Sequence, residues 1–190
     1  MEDLLKMQNY IGSKHIKAFP LTRGDYNNYR GWKIPNNENP KDPGYLVEYI
    51  GAGDSNHPNH VNYISWSPSD VFERAYQTNG EFTLGNAVEF GLNKGFMITR
   101  MSWIGHLSTK MLFLQVPASI SVEETVPVMT SLPTAVKEFL EERRHILEDG
   151  ENINYSNQIA VLNSDNTIHS WSPSAEDLLS KDWKIINFNK

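Results

Sequence analysis

Two short strings pair arginine with tryptophan: Tyr29-Arg30-Gly31-Trp32 and Arg100-Met101-Ser102-Trp103. Arginine carries a planar fork of donors that matches a phosphate, and tryptophan offers a face on which a nucleobase stacks. A third feature is an echo. Ser65-Trp66-Ser67-Pro68-Ser69 recurs as Ser170-Trp171-Ser172-Pro173-Ser174. Each copy predicts a strand ending in Trp, followed at once by a capped helix whose free N–H groups and positive dipole end suit an anion. Together these groups could hold a nucleotide without a basic patch. Plainer readings stay open. The pentapeptide also makes a sound strand-to-helix turn, and Trp beside a surface Arg commonly fills a core.

Catalytic constellations are scarce. His57-Pro58-Asn59-His60 resembles a two-histidine metal pair, but Pro58 argues against a helix and no third ligand is evident, so no metal is expected. His15, His106, His145 and His169 are scattered. No Gly-x-Ser-x-Gly elbow, His-Glu-x-x-His or Walker loop occurs. Arg23-Gly24-Asp25 and the sequon at Asn154 have no role expected in cytosol, and Arg143-Arg144 reads as a solvated helix face. The expectation is a binding protein, with no catalytic residue and no cofactor.

The elements that must position these residues are partly legible. Residues 1–7 suit a helical turn or a frayed end. Residues 10–20 alternate weakly, and 21–44, rich in Pro, Gly and Asn, read as a long loop. Strands are expected at 45–49 and 61–66 as an antiparallel pair. A helix should follow, with Ser67 as its cap, Pro68 in its first turn and Asp70 three residues after the cap. Gln77 to Gly80 breaks it, so a domain boundary is placed near residue 79. Beyond it, Thr83 caps a helix reaching Asn93 and closed by Gly95. Strands follow at 96–101 and 110–116. Ser131-Leu132-Pro133 opens the strongest amphipathic helix, with Leu132, Val136, Phe139, Leu140 and Ile146 on one face. Residues 148–154 read as a polar loop. A hairpin pairs 158–162 with 167–171 around Asn163-Ser164-Asp165-Asn166. Ser172-Pro173-Ser174 opens a short helix, and 183–188 forms a last strand.

Composition narrows the function classes. The chain has 190 residues, 17 Lys and Arg against 23 Asp and Glu, a net charge of −6 and no cysteine. Disulfides, Cys-ligated zinc and thiol catalysis are excluded. The negative balance argues against a protein that coats nucleic acid. No run approaches the ~18 apolar residues of a membrane span. The acidic Met1-Glu2-Asp3 start is unlike a signal peptide, so a cytoplasmic location is expected.

Residues 82–188 resemble a phage domain whose members include the type-two Thoeris anti-defence proteins. The matching residues are Phe82, Ala87, Leu92-x-x-Gly95, Arg100-x-x-Trp103, Gly105, Leu112-Phe113-Leu114, Ser131-Leu132-Pro133 with Phe139, and Trp171-x-x-Ser174-x-x-Asp177-Leu178-Leu179 with Asp182-Trp183. The resemblance implies an α+β fold around an antiparallel sheet and a homo-oligomer, dimer or typically tetramer. It also implies capture, without cleavage, of a cyclic ADP-ribose-type or cyclic oligonucleotide immune signal in an infected cell. Carried over by motif, Arg100, Trp103, Trp171, Ser174 and Asp177 are the pocket candidates, and Trp183 is a packing residue.

Residues 8–77 look like another domain common in phages, through Tyr10-Ile11-Gly12, Arg23-Gly24, Tyr29 to Trp32, Gly44 to Val47 and Trp66 to Ser69. The shared Trp-Ser-Pro-Ser suggests two related α+β domains, 1–79 and 80–190. Tyr29, Arg30, Trp32, Trp66, Ser67 and Ser69 would then line a second pocket or half of a shared one. An enzyme degrading the signal, and a protein-interaction module with no small ligand, are the alternatives.

Overall fold

The computed structural model describes residues 12–105, 109–146 and 150–188. The expected turn at 1–7, the Tyr10-Ile11 pair and His106 lie outside them. The protein is α+β: among the described residues, antiparallel sheets carry five short helices. The chain divides into two compact units, Met1–Thr78 and Asn79–Lys190. No helix among the described residues is long and apolar enough to cross a membrane.

The first unit is a three-stranded antiparallel sheet of β1 (Ile16–Pro20), β2 (Gly44–Tyr49) and β3 (Ile64–Pro68), in that order. Ala18 lies opposite Val47, and Val47 opposite Ser65. Tyr26, Val47 and Ile64 are its buried apolar residues. The segment read as a loop, 21–44, contains α1 (Arg23–Arg30). Gly24, Asn27 and Asn28 are weak helix formers, which hid it. Its ends are well specified all the same. The Thr22 hydroxyl accepts from the Asp25 N–H, and Gly31, in the left-handed region at φ 70°, closes the last turn. The following loop folds back on it: the Arg23 N–H donates to the Asp42 carbonyl, the Gly24 N–H to the Pro40 carbonyl, and the Arg23 guanidinium to Glu38.

β3 begins three residues later than expected and runs on through Pro68. Ser67 is therefore not a helix cap. It lies in the strand opposite Tyr45, with Pro68 opposite Gly44. The cap of α2 (Ser69–Ala75) is Pro68, with no side-chain hydrogen bond. The strand ladder reaches further than the turn signal suggested and displaces the cap by one residue.

The second unit holds a five-stranded antiparallel sheet in the order β10-β4-β5-β8-β9. Its strands are β4 (Ile98–Arg100), β5 (Met111–Gln115), β8 (Gln158–Leu162), β9 (Ile168–Ser170) and β10 (Trp183–Ile185). α3 (Leu84–Phe90) is capped by Thr83 as its sequence predicts, and a short 3-10 turn carries the chain to Gly95. Phe82, Leu84, Ala87, Leu92, Ile98, Leu112, Val161, Trp183 and Ile185 form the core. The polar stretch 148–154 is not all loop, since β7 (Asn152–Asn154) pairs with β6 (Ser119–Ser121), a strand the sequence did not suggest. The expected amphipathic helix is α4 (Thr134–Arg144), but its apolar stripe is not a core face: Phe139 is 56% and Ile146 77% exposed. α5 (Ala175–Leu179) follows Ser174, its cap.

Candidate functional site

In the second unit β4 and β10 are paired, with Arg100 directly opposite Trp183. That register brings the end of β4 against the segment joining α5 to β10. Arg100 is only 7% exposed. Its Nε donates to Asp182 Oδ1 at 2.9 Å, and its Nη1 donates to Asp177 Oδ1 at 3.0 Å and Glu176 Oε1 at 3.1 Å. The other oxygen of Asp182 accepts the Ser102 N–H. The other oxygen of Asp177 accepts the N–H and hydroxyl of Ser174, which in turn accepts the Asp177 N–H. This is a full capping box at the start of α5.

The charges reinforce one another. Burial works to raise the Asp177 carboxyl, but the Ser174 donors and Arg100 overcome it and hold it below the usual carboxylate range. Burial likewise opposes Asp182, and Ser102 with Arg100 hold it down. Burial alone would lower Arg100; its three carboxylate partners raise it instead.

Over this ion cluster lie three tryptophans, each edge-on to the other two. Trp103 and Trp183 are 5.3 Å apart between ring centroids, Trp171 and Trp183 6.1 Å, and Trp103 and Trp171 6.4 Å. Trp183 is fully buried, and its indole N–H donates to the Asp177 carbonyl. Trp103 and Trp171 are half-buried. The Arg100 guanidinium and the Lys110 ammonium each stand 5.6 Å from the Trp103 ring centre.

The structure therefore brings Arg100, Trp103, Trp171, Ser174 and Asp177 into one cluster. Asp182, Glu176 and Lys110 are members that sequence reasoning did not assign. Asp182 stands beside Trp183 in the family motif, so its position was visible although its role was not. Lys110 carried no signal, since only the pairing of β4 with β5 brings it to Trp103.

The first-unit candidates fall into separate groups. Trp66 donates its indole N–H to the Leu21 carbonyl, lies under the Arg23 guanidinium, and presses on Gly44, where a Cβ would fall 2.5 Å from its ring. Ser67 lies in β3 opposite Tyr45, and Ser69 opens α2 with its N–H donating to the Pro43 carbonyl. Trp32 packs on Tyr26 and under the Arg30 guanidinium, 4.3 Å away. Tyr29 contacts His57 and His60. Among the described residues, no group of three or more His, Asp or Glu could hold a metal ion.

The family model of the Thoeris anti-defense 2-like domain (Tad2-like) matches residues 82–186, which include the whole tryptophan and ion-pair cluster. The chain belongs to this family. Its similarity to Thoeris anti-defense 2 of Bacillus phage SP01 is 44% identity over 41 residues, covering 20% of this chain and 46% of that protein. The chain thus spans under half the length of that relative. The Thoeris anti-defense domain begins at the β-bridge between Phe82 and Trp183 and ends just beyond β10. The first unit lies outside the match.

Proposed function

We propose that this anti-defence protein acts by capture: it binds a cyclic nucleotide immune signal and holds it without cleaving it. The observation that carries the reading is the pair of half-buried tryptophans, Trp103 and Trp171, beside the Arg100 ion cluster inside the anti-defense domain. A base stacked on an aromatic ring gains about 1–3 kcal/mol. Arg100 has its Nε and Nη1 donors on carboxylates, so its role in this reading is to hold Trp103 and the start of α5 in place. The phosphate partner is then Lys110. Capture between protomers of a homo-oligomer, in the cytoplasm of the infected cell, completes the proposal. Enclosure there would exclude water and strengthen the phosphate contact.

The test is thermal unfolding of the full chain with cyclic ADP-ribose-type and cyclic dinucleotide ligands. A ligand at 100 times its Kd should stabilise the protein by roughly 2.7 kcal/mol. Heat-denaturing the loaded protein should then release intact ligand. Release of hydrolysed product would make the protein an enzyme that degrades the signal. Unfolding curves unmoved by every ligand would favour a protein-interaction module.

A further inference from the structure

The first unit contains a hydrogen-bonded chain that neither the family nor the capture reading uses. Glu48 on β2 lies against the loop between β2 and β3. Its Oε2 is 3.1 Å from His60 Nδ1, and its Oε1 accepts both the backbone and side-chain N–H groups of Asn62. His60 Nε2 is 2.9 Å from Tyr29 Oη, at the C-terminal end of α1. The imidazole of His57 stacks on the Tyr29 ring at 4.3 Å and fixes its plane. The side chains of His60 and Glu48 are 17% and 15% exposed, whereas Tyr29 is 38% exposed. The arrangement is a mostly buried carboxylate, a mostly buried imidazole and a surface hydroxyl in series.

The proton positions follow from the carboxylate. Hydrogen bonds from His60 and Asn62 push the Glu48 pKa down to about 2, so it is an ionised acceptor near neutral pH. In the neutral imidazole, His60 presents its Nδ1–H to Glu48 and its Nε2 lone pair to Tyr29. The tyrosine O–H donates to it. This is the order of groups by which a base oriented by a carboxylate activates a hydroxyl.

We propose that Tyr29 Oη is an activated nucleophile toward uncharged carboxylic esters, with His60 as its base and Glu48 as the residue that positions His60. In the reaction the Oη bonds to the acyl carbon as its proton passes to His60 Nε2. The bond from the acyl carbon to the alkoxy or aryloxy oxygen breaks, and that oxygen leaves with the proton from His60. The product is an O-acyl tyrosine and an alcohol or phenol. An uncharged substrate is favoured because an ionised carboxylate and helix-terminal carbonyls stand nearest along this chain, while the Arg30 guanidinium at the same helix end lies over the Trp32 ring. The ionised Glu48 and the terminal carbonyls of α1, one of which lies 3.3 Å from His57 Nε2, would repel a phosphate ester.

The test treats the full chain with p-nitrophenyl acetate and locates the acetyl group by peptide mass spectrometry, with nitrophenolate release as the rate. Tyr63 in the same unit is 45% exposed, so it serves as an internal reference that exposure alone would favour. Tyr29 should be acetylated on the order of 100-fold faster than Tyr63. His60→Gln should bring Tyr29 down to the Tyr63 rate and remove an inflection from its pH–rate profile. Glu48→Gln should slow Tyr29 alone, with Glu48→Asp recovering part of the rate, and Tyr29→Phe should abolish the fast phase. Circular dichroism of each variant separates these losses from unfolding. If a variant unfolds, the Tyr29-to-Tyr63 ratio in the unmodified protein decides. Equal rates at Tyr29 and Tyr63, acetylation of His57 or His60 instead of Tyr29, or a folded His60→Gln protein that labels as before would overturn the proposal. None of these outcomes depends on nucleotide binding.

Discussion

The same five residues, Ser-Trp-Ser-Pro-Ser, do different work in the two units. In the first, Trp66 is inside β3, opposite Leu46, and is tied to the backbone through Leu21. In the second, Trp171 is one residue past β9 and leans on two other tryptophans. The first copy starts its helix without a side-chain cap, and the second with a complete capping box. What differs is downstream and across the sheet. Three residues after the last serine stands Phe72 in one copy and Asp177 in the other. In the first copy, Asp70 is spaced to form a box with Ser67, but strand pairing with Gly44 and Tyr45 keeps Ser67 and Pro68 extended. A cap is worth about 1 kcal/mol, and a ladder that also half-buries Trp66 outweighs it.

Four experiments would break or sharpen that comparison. The largest effect is expected from acid. Asp177, Asp182 and Glu48 all have depressed folded values, so each contributes stability above its unfolded value, about 3.9 for Asp and 4.3 for Glu, which is lost as pH falls through the folded one. Melting curves from about pH 6 to about pH 2 should show the melting temperature falling, and Glu48→Gln should flatten the fall. A melting temperature that rises in acid would contradict the ion-pair geometry of both units.

Next is Asp177→Ala, which removes the capping box and one partner of a buried arginine. Denaturant unfolding should show a loss of about 3 kcal/mol. The counterpart Asp70→Ala removes only an exposed pair with Arg74 and should leave the midpoint unchanged. Equal losses would mean the two helix starts are alike after all.

The tryptophans should separate by readout. Trp66→Ala should cost about 3 kcal/mol of stability and leave nucleotide affinity as it was. Trp171→Ala and Trp103→Ala should weaken affinity in a fold that persists, as titration with the best ligand from the thermal screen would show. Affinity lost on Trp66→Ala without loss of stability would move the pocket to the first unit.

The smallest difference is between the serines. Ser174→Ala should cost about 1 kcal/mol, and Ser67→Ala should fall within error. A measurable loss at Ser67 would restore it as a cap.

Much of the secondary structure was legible because its signals are local. Thr83 and Gly95 bound α3 and its 3-10 extension, Asn163 to Asn166 turn the β8–β9 hairpin, and Pro133 precedes α4. α1 escaped because its interior is Gly- and Asn-rich, although Thr22, Asp25 and Gly31 marked both of its ends. β6 and β7 escaped because three-residue strands carry too few residues for an alternation to show. At the site, the Arg and Trp positions were visible as residue types. The partners of Arg100 were not, because Glu176, Asp177 and Asp182 lie about 80 residues further along the chain.

Alone, the sequence determined the absence of thiol chemistry, the positions of most strands and helices along the chain, and the family motifs of residues 82–188, whose resemblance implied the α+β class. These depend on composition and on neighbours within a few positions. Tertiary structure decided which charges meet, which tryptophan is buried and which serine caps a helix. Those outcomes depend on β4 pairing with β10 and on β2 pairing with β3. The β2–β3 pair is expected from local signals, but its register, like the β4–β10 pairing, is set by burial of a shared core that no local spacing encodes.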